Sequence, residues 1–258
     1  MKDPKTRFSD RAENYAKYRP GYPRETPEFL SNKCALTEGS VVADVGSGTG
    51  ILSKLFLENG NRVLAVEPNE EMRRAAEGAL GDHPRFERVA GAAEDTTLAE
   101  ESVDLIAVAN SLHWVEVEAA RAEFSRVLKP GGRVAVVWNI PRGGGTPFLE
   151  ALGKLVSAYR TDDGAGGDAE DVYGMTETFF DGGSGERRSY EMESFPYHRS
   201  LDLEGLRGLE LSYSSMPAGD EPGAEEMFRE LEEVFRGHQS GGKVVVEYRT
   251  SVYCGRLG

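Results

Sequence analysis

The apolar positions of this chain fall into short runs set between amphipathic stretches, a pattern that predicts strands and helices in alternation. Val41, Val42, Ala43 and Val45 form the first run, and its density predicts a strand buried on both faces of a parallel sheet. Asp44 interrupts it, Gly46, Gly48 and Gly50 follow at once, and Ile51, Leu52, Leu55 and Phe56 then recur at helical spacing. Val63 to Val66 is a second run, closed by Glu67 and Pro68. Further strands are predicted over Phe86–Ala90, Val103–Ala109 and Arg133–Ile140. Between them, Asn69 is a good cap for a helix reaching about Leu80, with Glu70 and Glu71 where the helix dipole favours acid. Glu116 to Leu128 reads as another helix, stopped by the string LKPGG at 128–132.

Beyond Ile140 the pattern is thinner. It predicts helices over Pro147–Tyr159, Leu203–Leu209 and Ala224–Arg236, a loop over Arg160–Gly167, a sixth strand near Tyr190–Tyr197 and a long strand over Lys243–Cys254. Before the first strand, Phe8, Ala12, Tyr15 and Tyr18 recur at helical intervals within Arg7–Tyr18, and RPGYP at 19–23 forces an extended turn. A short helix over Thr26–Leu36 follows.

A length of 258 residues suits one α/β domain, or one domain with an elaborated cap. Thirty basic against 44 acidic residues give a net charge of −14, which counts against nucleic acid because phosphate contacts need clustered Lys and Arg. The segment MKDPKTRFSDRAENY is too charged for a signal peptide, and no apolar run approaches the roughly twenty residues that span a bilayer. A soluble, cytoplasmic protein is expected, as a monomer or a homodimer. Cys34 and Cys254 have no CxxC spacing and no nearby histidine, so the expectation is two small apolar fillers in a reducing compartment, without a disulfide or a metal site.

Strand, glycine turn and helix are the parts of a nucleotide-type site. Glycines let the backbone approach a ligand, and the helix start offers free N–H donors. A dinucleotide fingerprint, GxGxxG, would need a small residue where this chain has Ile51. The observed DVGSGTG, followed about seventeen residues later by a strand-terminal Glu67, resembles the class I S-adenosylmethionine-dependent methyltransferases. The preamble FS…A..Y..YRP.YP resembles the branch that includes trans-aconitate methyltransferase-like proteins, and SLHWV at 111–115 and LKPGG resemble motifs of the same family. The resemblance covers roughly the first 140 residues.

The resemblance implies a three-layer, doubly wound, mostly parallel seven-stranded sheet, order 3-2-1-4-5-7-6 with strand 7 antiparallel. It implies one methyltransferase domain over 1–258, with a helical lid at 1–36 and a substrate-side elaboration at 141–240. S-adenosylmethionine is the implied cofactor. Its implied binding residues are Tyr18, Arg19, Asp44, Gly46, Gly48, Gly50, Glu67, Pro68, Ala93, Glu94, Asn110 and Ser111, with Glu67 placed for a ribose diol. A small-molecule acceptor, carboxylic acids included, would meet the reactive methyl past the fourth strand, where His113 and Trp114 stand as catalytic candidates. His113 reads either as a general base or as a packing residue, the commoner role, and Trp114 as a pocket wall. Arg142, His198 and Arg199 are cationic candidates for pairing with an acidic substrate. The rival readings are a nicotinamide-dependent oxidoreductase and a protein that binds the cofactor without catalysis.

Overall fold

The structure is a computed structural model that describes residues 11–160, 169–182, 190–219, 221 and 223–257. Phe8, the start of the amino-terminal aromatic face and most of the loop expected over 160–167 lie outside the described residues.

The elements run α1 (Ala12–Tyr18), α2 (Glu25–Cys34), β1 (Val41–Val45), α3 (Ile51–Glu58), β2 (Arg62–Glu67), α4 (Glu70–Leu80), β3 (Phe86–Ala90) and β4 (Val103–Ala109). A 3-10 turn at Leu112–Trp114 leads to α5 (Val117–Val127) and β5 (Leu128–Pro141). Then come α6 (Pro147–Tyr159), α7 (Ala169–Asp181), β6 (Tyr190–Leu201), α8 (Leu203–Ser212), α9 (Ala224–His238) and β7 (Val244–Gly255). One seven-stranded sheet holds them in the order β3-β2-β1-β4-β5-β7-β6. The pairings from β3 through β5 are parallel, and β7 runs antiparallel to both β5 and β6. This is the doubly wound order that the sequence implied.

The apolar runs explain the layers. β1, β2 and β4 are buried along nearly their whole length, which requires cover on both faces. One face carries Phe124, Phe179 and Trp138, and the other carries Phe29, Leu30 and Phe56. A third apolar cluster joins α6, α8 and α9 to the far ends of β6 and β7 through Leu149, Leu206, Leu231 and Tyr248.

Three local expectations need correction. The LKPGG string is not a free turn: β5 begins at Leu128, and its pairing with β4 jumps from Val103–Leu128 to Leu105–Arg133. That bulge accommodates the extra residues, with Gly131 at φ +84°. Helix α7 was not anticipated, yet its Val172, Phe179 and Phe180 are core residues. Cys34 and Cys254 are not fillers but a disulfide, with Cα atoms 6.0 Å apart, joining the end of α2 to β7 across 220 positions of sequence. Sequence spacing carries no trace of a pairing made by a helix lying across a distant strand.

Candidate active site

The chain leaves β1 through residues 46–50 and enters α3. Gly46, Gly48 and Gly50 have φ of +70°, +55° and +83°, a region that side chains rarely adopt. Space makes the same demand: a Cβ at Gly46 would lie 2.6 Å from Ser111 Oγ, and one at Gly50 would lie 2.7 Å from Leu80 Cδ1. The Gly46 and Ser47 amides donate to Val66 O at 2.9 and 3.1 Å, lacing the loop to β2. The Gly48 amide donates instead to Glu67 Oε2 at 2.9 Å. Glu67 Oε1 accepts from Asn69 N at 2.9 Å, so the carboxylate spans the glycine loop and the start of α4. An ionised carboxylate offers about four acceptor positions, which leaves Glu67 capacity for a ligand. Burial pushes its pKa up, against the pull of the two amides and of Arg73.

Asp44 lies beneath this loop, 1% exposed. Ser53 Oγ donates to its Oδ2 at 2.6 Å, while Oδ1 is buried without a partner. Burial pushes this carboxyl up to about 7, with Ser53 holding it lower than burial alone would.

A cavity of about 430 Å³ opens over the carboxyl ends of β1, β2 and β4. Gly46 and Gly48 line one side, Glu67, Pro68 and Met72 another, and Ala93 with Glu94 a third. The loop carrying Ala93 and Glu94 is tightly pinned. Thr96 N and Oγ1 both donate to Glu123 Oε1, at 2.9 and 2.5 Å. Arg126 pairs with the same carboxyl at 2.7 Å and holds it at about 2. Glu94 Oε1 in turn accepts from Glu116 N at 3.0 Å.

Asn110, Ser111 and Trp114 close the cavity past β4. Asn110 is left-handed, φ +51°, and both ends of its side chain are engaged. Oδ1 accepts from Asn139 N at 2.8 Å, and Nδ2 donates to Tyr22 OH at 3.0 Å. A strained residue fixed from both sides at the mouth of a cavity points to function. His113 is not in the wall of this cavity: its ring stacks on Trp138 at 5.7 Å and lies 4.7 Å from Trp114.

A second, much smaller cavity of about 10 Å³ adjoins the first, sharing Tyr15 and Asn110 with it. Arg19, Tyr22, Tyr213 and Tyr248 wall it, and Ile51 reaches it from the start of α3.

The other predicted residues fall elsewhere. Tyr18 does not reach the large cavity; its hydroxyl donates to Glu204 Oε1 at 2.7 Å and its ring packs on Gly208 of α8. Gly50 caps α3 against α4 rather than lining the cavity, and Asp44 and Arg19 also lie outside its wall. Arg142 pairs with Glu247 at 2.9 Å, and His198 is exposed on β6. Arg199 donates to the carbonyl oxygens of Tyr18 and Arg19, fastening the end of α1. None of these last three cations faces either cavity. Motif reasoning missed Met72 and Glu116; Met72 could have been found as the first buried position of the helix capped by Asn69.

Among the described residues, the lining of the large cavity includes three carboxylates, Glu67, Glu94 and Glu116, and no Lys or Arg. That chemistry suits a ligand bearing cationic and hydroxyl groups and disfavours the diphosphate of a dinucleotide. The glycine cradle and the spare acceptor capacity of Glu67 fit S-adenosylmethionine, a sulfonium that also carries an amine and a ribose diol.

Comparison with known proteins agrees. Residues 43–136 match the methyltransferase-domain family. An uncharacterized methyltransferase-like protein of Schizosaccharomyces pombe is 30% identical over 228 residues, 88% of this chain and 85% of that one. An uncharacterized methyltransferase of Mycobacterium tuberculosis is 37% identical over 142 residues, 55% of each chain. Among solved structures, a candidate type II methyltransferase from Anaeromyxobacter dehalogenans superposes with a TM-score of 0.71 at 23% identity, covering 93% of this chain and 98% of that one. With the glycine loop, the sheet order and a relative matched over most of both chains in agreement, this chain belongs to the class I S-adenosylmethionine-dependent methyltransferases.

Proposed function

We propose that the protein methylates a small-molecule acceptor at a carboxylate oxygen, and that the acceptor occupies the second chamber. The observation that carries this reading is the position of that chamber, which shares Tyr15 and Asn110 with the glycine-loop cavity and is walled by Arg19, Tyr22, Tyr213 and Tyr248. When bound, S-adenosylmethionine supplies an already activated methyl. The chain's task is then to hold the acceptor in line, and such orientation can lower a barrier by on the order of 7–11 kcal/mol. Gly46, Gly48 and Glu67 would hold the cofactor, with Ala93 and Glu94 at its base end and Ser111 at the reactive end. Tyr15 and Asn110, common to both cavities, stand at the junction where the two reactants meet.

Among the described residues no histidine lines that junction, which favours a carboxylate. His113 is held between Trp114 and Trp138 and lines neither cavity. An amine, phenol or carbon acid must lose a proton, whereas a carboxylate is ionised at neutral pH. The amino-terminal resemblance to acid methyltransferases supports the same reading. The segment through α1 acts as the lid, and the helices between β5 and β7 form the substrate-side cover.

The test is transfer of tritiated methyl from S-adenosylmethionine to a panel of small carboxylic acids. A methyl ester releases volatile methanol in base, which ethers and N- or C-methyl products do not. Base-labile label is expected, with turnover by His113→Asn within about threefold of wild type. Base-stable label, or a loss of roughly 10²–10⁴-fold in the folded variant, the usual worth of acid–base catalysis, would overturn the reading.

A further inference from the structure

Asn139 stands near the carboxyl end of β5, in register with Thr250 of β7. Its side chain joins that pair of strands to the turn that leaves α1. Nδ2 donates to Gly21 O at 2.7 Å, and Oδ1 accepts from Oγ1 of the fully buried Thr250. The Asn139 backbone N–H donates to Asn110 Oδ1 at 2.8 Å, and Asn110 Nδ2 donates to Tyr22 OH at 3.0 Å. One asparagine thus meets the end of β4, a residue of β7 and the amino-terminal turn.

The direction of both amides is fixed by partners that can act in only one way. A carbonyl oxygen accepts and a backbone N–H donates. Gly21 O therefore keeps Nδ2 of Asn139 toward the turn, which leaves Oδ1 for Thr250. The Asn139 N–H likewise claims Oδ1 of Asn110, so Nδ2 must face Tyr22, and the phenol oxygen accepts. Flipping Asn139 would set oxygen against oxygen at Gly21, and flipping Asn110 would set N–H against N–H at Asn139. The turn is gripped at other points too. Arg199 donates to the carbonyls of Tyr18 and Arg19, and a Cβ on Gly21 would lie 3.1 Å from Tyr197 OH. Position decides what the network serves. Asn110 lines both cavities, whereas Asn139 stands outside the wall of the larger one and reaches its lining through Asn110.

We propose that Asn139 is a positioning residue for methyl transfer: braced by Thr250, it seats the turn at 20–22 and, through Tyr22, sets where Asn110 presents its amide between the two cavities. The Asn139 side chain bonds Gly21 rather than Asn110, so its influence runs through the turn to Tyr22 and from there to the amide. The role is the same whichever acceptor is methylated; it rests on the larger cavity as the cofactor site. Because Asn110 is part of that cavity's wall, a displaced amide is felt in cofactor affinity, with no acceptor present.

The test is calorimetry with S-adenosylhomocysteine, joined to thermal melting and to amide exchange at Gly21 and Tyr22. Asn139→Ala should raise the dissociation constant about 3- to 10-fold, the span of one neutral hydrogen bond, and speed exchange in the turn. Thr250→Val keeps the shape of the threonine but frees the Asn139 amide, and should have the same effect to a smaller degree. Tyr22→Phe leaves Asn110 Nδ2 without its acceptor and should weaken binding by itself. Asn139→Ala added to Tyr22→Phe should then cost less than about twofold more, because the two act in series. Val252→Ala, in the core beside the same strands, should lower the melting temperature and leave the dissociation constant unchanged. An unchanged constant in both Asn139→Ala and Thr250→Val, losses that add in the double variant, or an equal rise in Val252→Ala would each overturn the proposal. If Glu67→Ala also bound as wild type, the reading of the larger cavity as the cofactor site would fall with it.

Discussion

The two cavities that meet at Tyr15 and Asn110 are built by different means. The larger one is shaped by backbone: positive φ at three glycines, amides aimed at Glu67, and loops that follow successive parallel strands. The smaller one is shaped by side chains that arrive from distant stretches of sequence. Arg19, for instance, reaches the carbonyl of Ser212, 193 positions away. A backbone-built site has a geometry that few substitutions can retune, which suits a cofactor. A site of tyrosines and one arginine can be altered one side chain at a time, which suits the acceptor proposed for it. The experiments below ask whether the two are as separable as they look.

The largest expected effect is on stability alone. The Cys34–Cys254 bond closes a loop of 220 positions and ties α2 to β7. Removing such a cross-link typically costs about 2–5 kcal/mol. The double variant Cys34→Ala/Cys254→Ala should show that loss in urea unfolding, and reductant should reproduce it in wild type. Neither cysteine lines a cavity, so cofactor affinity in the folded variant should not move. A fall in affinity would mean that the cofactor half depends on the frame of the acceptor half.

The same contrast explains what could be read from sequence. Strands β1, β2 and β4 are apolar runs, and they and β3 are bounded by glycine, asparagine, serine and proline, so local chemistry sets their ends. Phe86–Ala90 and Val103–Ala109 have the predicted bounds. The glycine loop and Glu67 were legible for the same reason, because their requirements are written in the residues themselves. Past β5 that clarity fails. β6 runs on to Leu201 rather than ending near Tyr197; it is an edge strand, largely exposed, whose extent is set by pairing with β7 rather than by its own pattern. Helix α7, AEDVYGMTETFFD, mixes acids and threonines among its apolar positions, and only the core beside Trp138 shows which face matters. Arg142, His198 and Arg199 were chosen by charge, yet charge does not say where a side chain ends up. Arg19 was expected among the cofactor-binding residues, and its place beside Tyr213 and Tyr248, outside the larger cavity, follows from a fold that joins the two ends of the chain.

A middle-sized effect should appear as pH. Each half buries one carboxyl pushed up to about 7, Asp44 under the glycine loop and Glu210 in α8. A carboxyl whose folded pKa is raised binds its proton more tightly in the native state. Its contribution is therefore best below the unfolded value near 4, falls as pH rises from about 4 to 7, and is level above that. Three units correspond to about 4 kcal/mol at most. Asp44→Asn and Glu210→Gln should each flatten part of this slope, leaving variants more stable than wild type at pH 8 by about 2–4 kcal/mol. S-adenosylmethionine, as a cation, should restore the Asp44 share in wild type at pH 8 and leave the Glu210 share alone. Recovery of both by cofactor would break the separation of the halves.

The smallest effect is the most local. Glu67 joins Gly48 N and Asn69 N through one carboxylate and keeps lone pairs to spare, so Glu67→Ala removes a ligand contact and leaves two amides unpaired. Charge-assisted hydrogen bonds and orphaned donors are each worth about 1–3 kcal/mol. The dissociation constant for S-adenosylhomocysteine should rise accordingly in a folded variant. Two causes could produce that rise, direct loss of the contact and loosening of the glycine loop, and Glu67→Gln separates them. Glutamine keeps an acceptor for one amide at most, so if loop bracing dominates it should recover much of the affinity. If the charge and the spare lone pairs matter, it should behave like alanine. In both variants binding in the Arg19 chamber should hold its wild-type strength once cofactor is saturating, because Glu67 lines only the larger cavity. A parallel loss there would show that the glycine loop positions Tyr15 and Asn110 as well, and that backbone-built and side-chain-built sites are one structure.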